Sequence, residues 1–257
     1  MLQGLGRVIV AYSGGVDSTL VAFTAHRILG NAALAVLADS PSLPRAEFAE
    51  AVELARRFDF PVRVVATREM EDPNYLKNPT NRCYYCKTEL YQRLEGLRVN
   101  EGFDAILDGG NVDDLGDYRP GRKAAGEWKV RSVLQEAGFR KKEIRELALK
   151  LGLPNHDKPA APCLSSRLPY GTAVTSERLS QIERGEMILK RLGLREGRVR
   201  HHGSVARIEC APDDFPKLIA SREELVRAFK EIGFAYTSLD LQGFRSGSLN
   251  EGHLKNT

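Results

Sequence analysis

The sequence predicts an α/β fold: a doubly wound parallel sheet followed by a smaller α+β domain. Three observations lead there. Short apolar runs alternate with helix-period segments through the first half of the 257 residues, as when strands are joined by helical crossovers and therefore pair in parallel. A glycine pair, Gly14-Gly15, separates the first apolar run from the first helical segment, and sheets of this kind bind ligands where the strands end. A proline-rich stretch, "LPNHDKPAAPCLSSRLPYG" (153 to 171), then introduces a region ordered helix, two strands, helix, strand.

The elements follow in order. "RVIVAY" (7 to 12) reads as a buried strand, and "DSTLVAFTAHRILG" (17 to 30) as a helix closed by glycine. "AALAVLA" (32 to 38), "PVRVVAT" (61 to 67) and "FDAILDG" (103 to 109) read as further strands, with helices over 44 to 58 and about 85 to 98. Helical patterns over 130 to 138 and 141 to 151 close this half. Beyond the linker come a helix over 175 to 192, the strands "RVRHHG" and "VARIEC", a helical stretch over 212 to 232 and a last strand, "FAYTSLD". The predicted division is a first domain over 1 to 152, a linker over 153 to 174 that carries Cys163, and a small domain over 175 to 257.

Composition narrows the function classes. The chain is 42% hydrophobic and 28% charged, an ordinary globular balance. No apolar run resembles a signal-peptide core or a membrane span, so cytoplasmic residence and no membrane partner are expected. Four cysteines do not make a disulfide framework, and a reducing compartment favours metal-binding or catalytic thiols. The net charge of +4 is small for a nucleic-acid binder. The charge is concentrated in "LREGRVRHHGSVAR", where Arg195, Arg198, Arg200 and Arg207 are joined by His201 and His202 against one acid, Glu196, a composition suited to phosphates.

The run Ser13-Gly14-Gly15-Val16-Asp17-Ser18 lies between strand and helix. Its glycines let backbone N–H groups turn inward as an anion nest, to which the helix N-terminus adds its own unpaired donors. The plain alternative is a tight turn capped by Asp17 or Ser18. Neither GxxxxGK[ST] nor GxGxxG occurs. Neighbouring strand ends offer Asp39, Ser40 and Arg45 after the second strand and Gly109, Gly110, Asp113 and Asp114 after the fourth, with Asp117 and Arg119 further along the same loop.

"NRCYYCKTEL" puts Cys83 and Cys86 at i and i+3, adjacent on one face of a helix. Two thiolates do not close a metal site. Cys163 in the linker is the third candidate, and three thiolates can hold a cubane cluster by three corners and leave one iron open. A zinc site with His156 as fourth ligand and simple packing thiols are the other readings. Cys210 alternates with Ala206 and Ile208 on an apolar face and reads as a buried structural thiol. Arg198 and Arg200 share one strand face, spaced for a phosphate or carboxylate, and Glu186 and Asp214 are close enough in sequence to suggest a metal there.

SGGxDS resembles the signature of the PP-loop ATP pyrophosphatases. Together with "DYRPGRKAAGEW", "RSVLQEAGF", "CLSSRLPYGT", "RVRHH", "ARIE" and "LDLQGFRSGSLN", the sequence resembles the LarE family of ATP-dependent sulfur transferases from about residue 7 to 250. The resemblance implies that ATP, with Mg2+, adenylates the carboxylates of pyridinium-3,5-biscarboxylic acid mononucleotide and that sulfur then replaces AMP. The resemblance implies that this step serves the making of the nickel-pincer nucleotide cofactor of lactate racemase and related enzymes. Ser13 to Ser18 would hold the pyrophosphate moiety, Arg198 and Arg200 the substrate phosphate, and Glu186 and Asp214 a divalent metal. Some family members sacrifice the sulfur of the linker cysteine. Others hold a [4Fe-4S] cluster on three cysteines, and Cys83, Cys86 and Cys163 match that branch, with sulfide or another donor resupplying sulfur. The same resemblance implies a homo-oligomer in which the small domain binds substrate and mediates assembly. The alternatives are tRNA thiolation, for which no RNA-binding appendage is visible, and a non-catalytic ATP sensor.

Overall fold

Val8–Tyr12 is buried at every position and forms β1, the strand on which the first half of the protein is built. The computed structural model describes residues 1–116, 120–194 and 196–245. Asp117, Arg119, Arg195 and the terminal segment from Ser246 on lie outside the described residues. β1 pairs in parallel with β2 (Ala33–Asp39) on one side and β4 (Ala105–Leu107) on the other, and β2 pairs with β3 (Val62–Ala66), giving the order β3-β2-β1-β4.

Alternation along β1 explains why helices cover both faces. Val8, Val10 and Tyr12 enter one core with Leu20 of α1 (Val16–Leu29), Ala51 of α2 (Arg45–Arg57) and Ile144 of α7 (Lys141–Lys150). Ile9 and Ala11 enter the other with Tyr91 and Leu94 of α4 (Arg82–Glu101) and Ala124 of α5 (Pro120–Glu127). A strand buried on both faces must be apolar throughout, which is why "VIVAY" carries no polar alternation. Between β3 and α4 lies the short α3 (Pro73–Leu76).

Four sequence expectations are corrected. The helix expected from about 85 starts at Arg82, so Cys83 and Cys86 both lie in its first turns. The helix expected over 130 to 138 shrinks to α6 (Val133–Glu136), because Arg131 bridges to Leu107 beside β4 and Lys129 before it is left-handed, at φ 53°. Gly138, at φ 79°, then turns the chain. α5 was not anticipated: Gly121 and Gly126 masked its helical pattern, although Pro120 at its first position is a helix-start residue. The stretch 212 to 232 divides at Ser221 into α9 (Phe215–Ala220) and α10 (Arg222–Glu231).

The chain divides into two units, Met1–Tyr75 with Thr80–Ala161, and Leu76–Pro79 with the chain from Pro162 onward. In the second unit β5 (Gly197–His202) and β6 (Val205–Cys210) form an antiparallel hairpin, and β7 (Tyr236–Leu239) joins β6 in parallel. One face of this sheet packs on α8 (Ser176–Arg191) and α10 through Leu189, Val199, Ile208 and Phe229. Thr175 caps α8 by accepting the Arg178 N–H at 3.2 Å. Among the described residues no helix is long and apolar enough to cross a membrane.

Candidate active site

The turn after β1 has the geometry of an anion cradle. Gly14 has φ 75°, and a Cβ placed there would lie 2.7 Å from the Ala51 Cβ, so conformation and space both require glycine. Gly15 is the N-cap of α1. The Ser18 hydroxyl accepts from the Ser13 N–H at 3.1 Å, donates to the Gly15 carbonyl at 3.1 Å, and stands 3.0 Å from the Ser13 hydroxyl. Residues 13 to 18 therefore close on themselves at the mouth of α1, with Val16 buried beneath as an anchor.

Distant residues fix this turn from outside. The Asn155 amide donates to the Gly14 carbonyl at 3.0 Å and to the Thr19 hydroxyl at 2.9 Å. Asp17 is ion-paired with Lys141 and accepts from Asn111 at 3.3 Å. A Cβ on Gly109 would lie 2.8 Å from the Ser18 nitrogen, so the loop after β4 can approach only because that position is glycine. Gly110 donates to Asp108 Oδ1 at 2.9 Å, and Ser132 donates to the same oxygen at 2.7 Å.

The other strand-end candidates have structural partners. Arg45 pairs with Asp39 at 2.6 Å and donates to the Ser40 carbonyl at 2.7 Å. The Ser40 hydroxyl is buried against Ser42 and the Glu69 carboxylate. Asp113 accepts the Lys141 N–H at 2.8 Å, capping α7, and Asp114 holds the Asn111 N–H at 3.0 Å. These groups are held by one another beside the turn after β1.

In the first unit, α4 carries Cys83 exposed and Cys86 half-buried at its N-terminal end. The Lys87 ammonium lies 5.7 Å from the Tyr91 ring centroid. Tyr91 raises the Lys87 pKa most, burial opposes, and Cys86, Asp108 and Cys83 add to the rise. Burial pushes the Tyr91 phenol up to about 12, and it donates to Asp108 at 3.3 Å. Thiols at the positive end of a helix beside an ammonium are in the setting where reactive and metal-binding cysteines occur. A polar chain through Lys87, Tyr91 and Asp108 thus joins the cysteine helix to the loop of Gly109 and Gly110.

In the second unit Cys163 precedes a 3-10 turn, Leu164–Arg167, with its thiol half-buried. Its carbonyl accepts from the Ser166 hydroxyl at 2.7 Å and from Arg167 at 3.1 Å. Arg167 is buried and forks onto Glu186 at 2.8 and 3.1 Å, and Glu186 also accepts the Val199 N–H at 3.2 Å. Glu186 therefore orients the backbone at Cys163 through Arg167. The His156 ring stands 3.1 Å from the Leu153 carbonyl. Three thiols are the right kind of donor for an iron–sulfur cluster, and the cysteine helix suits thiolates. Among the described residues, no three His, Cys, Asp or Glu side chains are grouped so as to hold a metal.

The arginine face opposes the apolar face of the small sheet. Arg200 is buried, forms an ion pair with Glu209 at 2.7 Å and donates to the Ser166 carbonyl at 3.0 Å. Arg207 pairs with the same carboxylate at 3.0 Å and with Asp240 at 3.6 Å. Arg198 is half-buried, makes no ion pair among the described residues, and lies 5.3 Å from the Phe244 ring centroid. Burial first, and then Arg167, holds its pKa below the usual arginine range. A half-buried guanidinium with no ion pair among the described residues is suited to receive an anion. Cys210 is fully buried, and burial, with Asp214 adding, raises its thiol to about 11. Asp214 ends the 3-10 turn before α9.

No family model matches the chain. A pyridinium-3,5-bisthiocarboxylic acid mononucleotide synthase from Lactiplantibacillus plantarum is 40% identical over 251 residues, spanning 97% of this chain and 91% of that protein. The chain belongs to the LarE family. An uncharacterized protein of Synechocystis sp. is 48% identical over 248 residues, spanning 96% of this chain and 92% of its own length. A glutamine-hydrolyzing GMP synthase of Synechocystis sp. is 28% identical over 213 residues, which span 72% of this chain and 39% of that protein.

The LarE-family membership and the parallel sheet bear out the α/β fold expected from sequence. Sequence reasoning about this LarE-family chain missed Asn155, Asn111 and Lys141 behind the turn, and Arg167 and Glu209 behind the arginine face. Asn155 bonds to a residue 141 positions away, and no periodicity announces such a partner. Glu209 left a signal: an acid between arginines on one strand face, at Arg207 and across from Arg198.

Proposed function

We propose that this protein is an ATP-dependent sulfur transferase that converts pyridinium-3,5-biscarboxylic acid mononucleotide into its bisthiocarboxylic form for the nickel-pincer nucleotide cofactor. The observation that carries this reading is the 40% identity, over 97% of the chain, to a synthase named for that product. The enzyme uses ATP: the self-closed turn at Ser13 to Ser18 supports phosphate binding against backbone donors. A carboxylate oxygen attacks the α-phosphorus, pyrophosphate leaves, a sulfur nucleophile attacks the activated carbon, and AMP leaves with the oxygen. A carboxylate oxygen leaves poorly and AMP leaves well, so holding the phosphates beside the acid is the main task of the site.

In this proposal Val16 and the N–H groups around Gly14 and Gly15 take the pyrophosphate moiety, with Asp39, Ser40, Arg45, Gly109 and Gly110 forming the walls for the nucleotide. Mg2+ would accompany the phosphates. Arg198 receives the substrate phosphate and Arg200 is held in place beside it by Glu209, a reading supported by the half-burial of Arg198 without an ion pair among the described residues. Glu186 and Asp214 are assigned to a divalent metal, which would require Glu186 to exchange its bond to Arg167. Cys83, Cys86 and Cys163 would hold a [4Fe-4S] cluster, which when bound supplies an open iron for the transferable sulfide. The protein is proposed to act as a cytoplasmic homo-oligomer on a small molecule, served by sulfide or another donor, with no nucleic-acid or membrane partner.

The test is mass spectrometry of the pyridinium mononucleotide after incubation with ATP, magnesium and sulfide under anaerobic conditions. Replacement of oxygen by sulfur, matched by AMP and pyrophosphate, is expected. Pyrophosphate release without the pyridinium substrate, or thiolation of tRNA instead, would overturn the reading. An iron and acid-labile sulfide assay, expected to give about four of each per chain and to fail in each cysteine variant, tests the cluster separately.

A further inference from the structure

After β7 the chain turns back over the end of β6. The Asp240 N–H donates to the Ile208 carbonyl at 2.9 Å. The Asp240 carboxylate accepts the Gln242 N–H at 2.9 Å and pairs with Arg207 at 3.6 Å. The Gly243 N–H closes the turn on the Asp240 carbonyl at 3.0 Å. Gly243 has φ 72°, and a Cβ there would lie 3.0 Å from the Cys210 carbonyl oxygen, so conformation and space both favour glycine. The Phe244 N–H then donates to that same carbonyl at 2.8 Å. Cys210 stands opposite Gly197 in the β5–β6 pair, so this bond delivers the Phe244 ring to Arg198, whose guanidinium carbon lies over the ring at 5.3 Å from its centroid.

We propose that Phe244 is a positioning residue that holds Arg198 by the face of its guanidinium and leaves the N–H edge open to the phosphate of the substrate. The proposal rests on the reading that Arg198 receives that phosphate. A guanidinium is a planar fork of five N–H donors, and a carboxylate partner occupies the fork, whereas an aromatic ring attracts the charge without taking a donor. The other three arginines of this face are held in the first way. Arg167 forks onto Glu186, Arg200 is committed to Glu209 and the Ser166 carbonyl, and Arg207 pairs with Glu209 and Asp240. Arg198 makes one hydrogen bond among the described residues, from Nη1 to the neighbouring Gly197 carbonyl at 3.1 Å. An anchor that does not compete with phosphate for donors fixes a long side chain before the ligand arrives, so less rotamer freedom is lost on binding.

The test is isothermal titration of full-length protein with the pyridinium mononucleotide. Phe244→Leu, which keeps an apolar side chain and loses the aromatic face, should raise the Kd about tenfold. Phe244→Tyr should bind as the wild type does. In an Arg198→Met background Phe244→Leu should have no further effect, because both changes act on one group. The KM for ATP should be the same in every variant. Should Phe244→Leu not fold, Phe244→Met carries the same comparison. An undiminished effect of Phe244→Leu beside Arg198→Met, or a matching rise in the KM for ATP, would mean a merely structural ring and would overturn the proposal. If Arg198→Met weakens binding and Phe244→Leu does not, this inference alone falls. If Arg198→Met binds as tightly as the wild type, the phosphate assignment falls and takes the inference with it.

Discussion

The turn at Ser13 to Ser18 and the arginine face of the small sheet are both suited to phosphates, by opposite means. The turn is a continuous hexapeptide that presents backbone donors, and its conformation is set by two glycines and two serine hydroxyls. The arginine face is assembled from Arg167, Arg198, Arg200, Arg207, Glu186 and Glu209, with three of its four arginines ion-paired. A backbone cradle must be exact in shape, whereas a side-chain cradle must be balanced in charge. The two should therefore fail differently when altered.

The largest expected effect is at Glu209, fully buried between Arg200 and Arg207. Glu209→Ala leaves two guanidiniums sharing a site without their carboxylate and should destabilise the second unit by about 3–5 kcal/mol. Urea unfolding followed from that unit measures it, and a loss below about 1 kcal/mol would mean that the pair is not buried in solution. Gly14→Ala comes next, with a Cβ driven into Ala51 and an unfavourable φ. About 1–3 kcal/mol of stability and roughly a hundredfold of ATP turnover should be lost. Adding Ala51→Gly should recover part of the stability by removing the clash, while the φ penalty stays.

Arg198→Met sharpens the contrast from the other side. It removes the one arginine of that face without an ion pair among the described residues, so stability should hardly change. The KM for the pyridinium mononucleotide should rise about tenfold, and the KM for ATP should not move. A parallel rise in the ATP KM would break the assignment of separate phosphate cradles.

The smallest effect is in pH. Burial first, and then Arg178, lowers the pKa of His201, whose ring stands 2.9 Å from Gln181. The unfolded chain therefore takes up a proton at this position more readily than the folded one. Stability contributed by the neutral ring is present above the ordinary value of 6.5 and is lost as pH falls below it. Thermal unfolding scanned from pH 7.5 to 5.5 should show a decline of about 1 kcal/mol or less, reduced in His201→Gln.

How much of this was legible in the sequence depended on whether the cause was local. β1 and β2 could be read because double-faced burial demands unbroken apolar runs, and the glycine turn after β1 because its conformation is written in adjacent residues, although the distant residues that fasten it are not. Cys83 and Cys86 share the first turns of α4 as their spacing implied, yet the helix start at Arg82 was missed although Asn81, a residue type favoured at N-caps, stands just before it; its side chain makes no capping bond there. α5 was lost to its glycines, one of which leaves room for Lys87: a Cβ on Gly121 would lie 3.0 Å from the Lys87 Cγ. Arg198 and Arg200 were found on one face, but their unequal fates could not be seen. Glu209 pairs with Arg200 although the β5–β6 register sets it opposite Arg198, and no sequence period announces such a diagonal pairing.

The strand order has a consequence for synthesis. β1 leaves the ribosome before the strands it pairs with, its partner β4 comes almost a hundred residues later, and Asn155, which fastens Gly14, later still. The turn after β1 is thus made before the residues that fasten it and completed only after most of the first unit has emerged. Nascent chains ending before Asn155 should carry the full SGGxDS motif and retain no ATP, so that the enzyme cannot spend nucleotide before its sulfur chemistry exists.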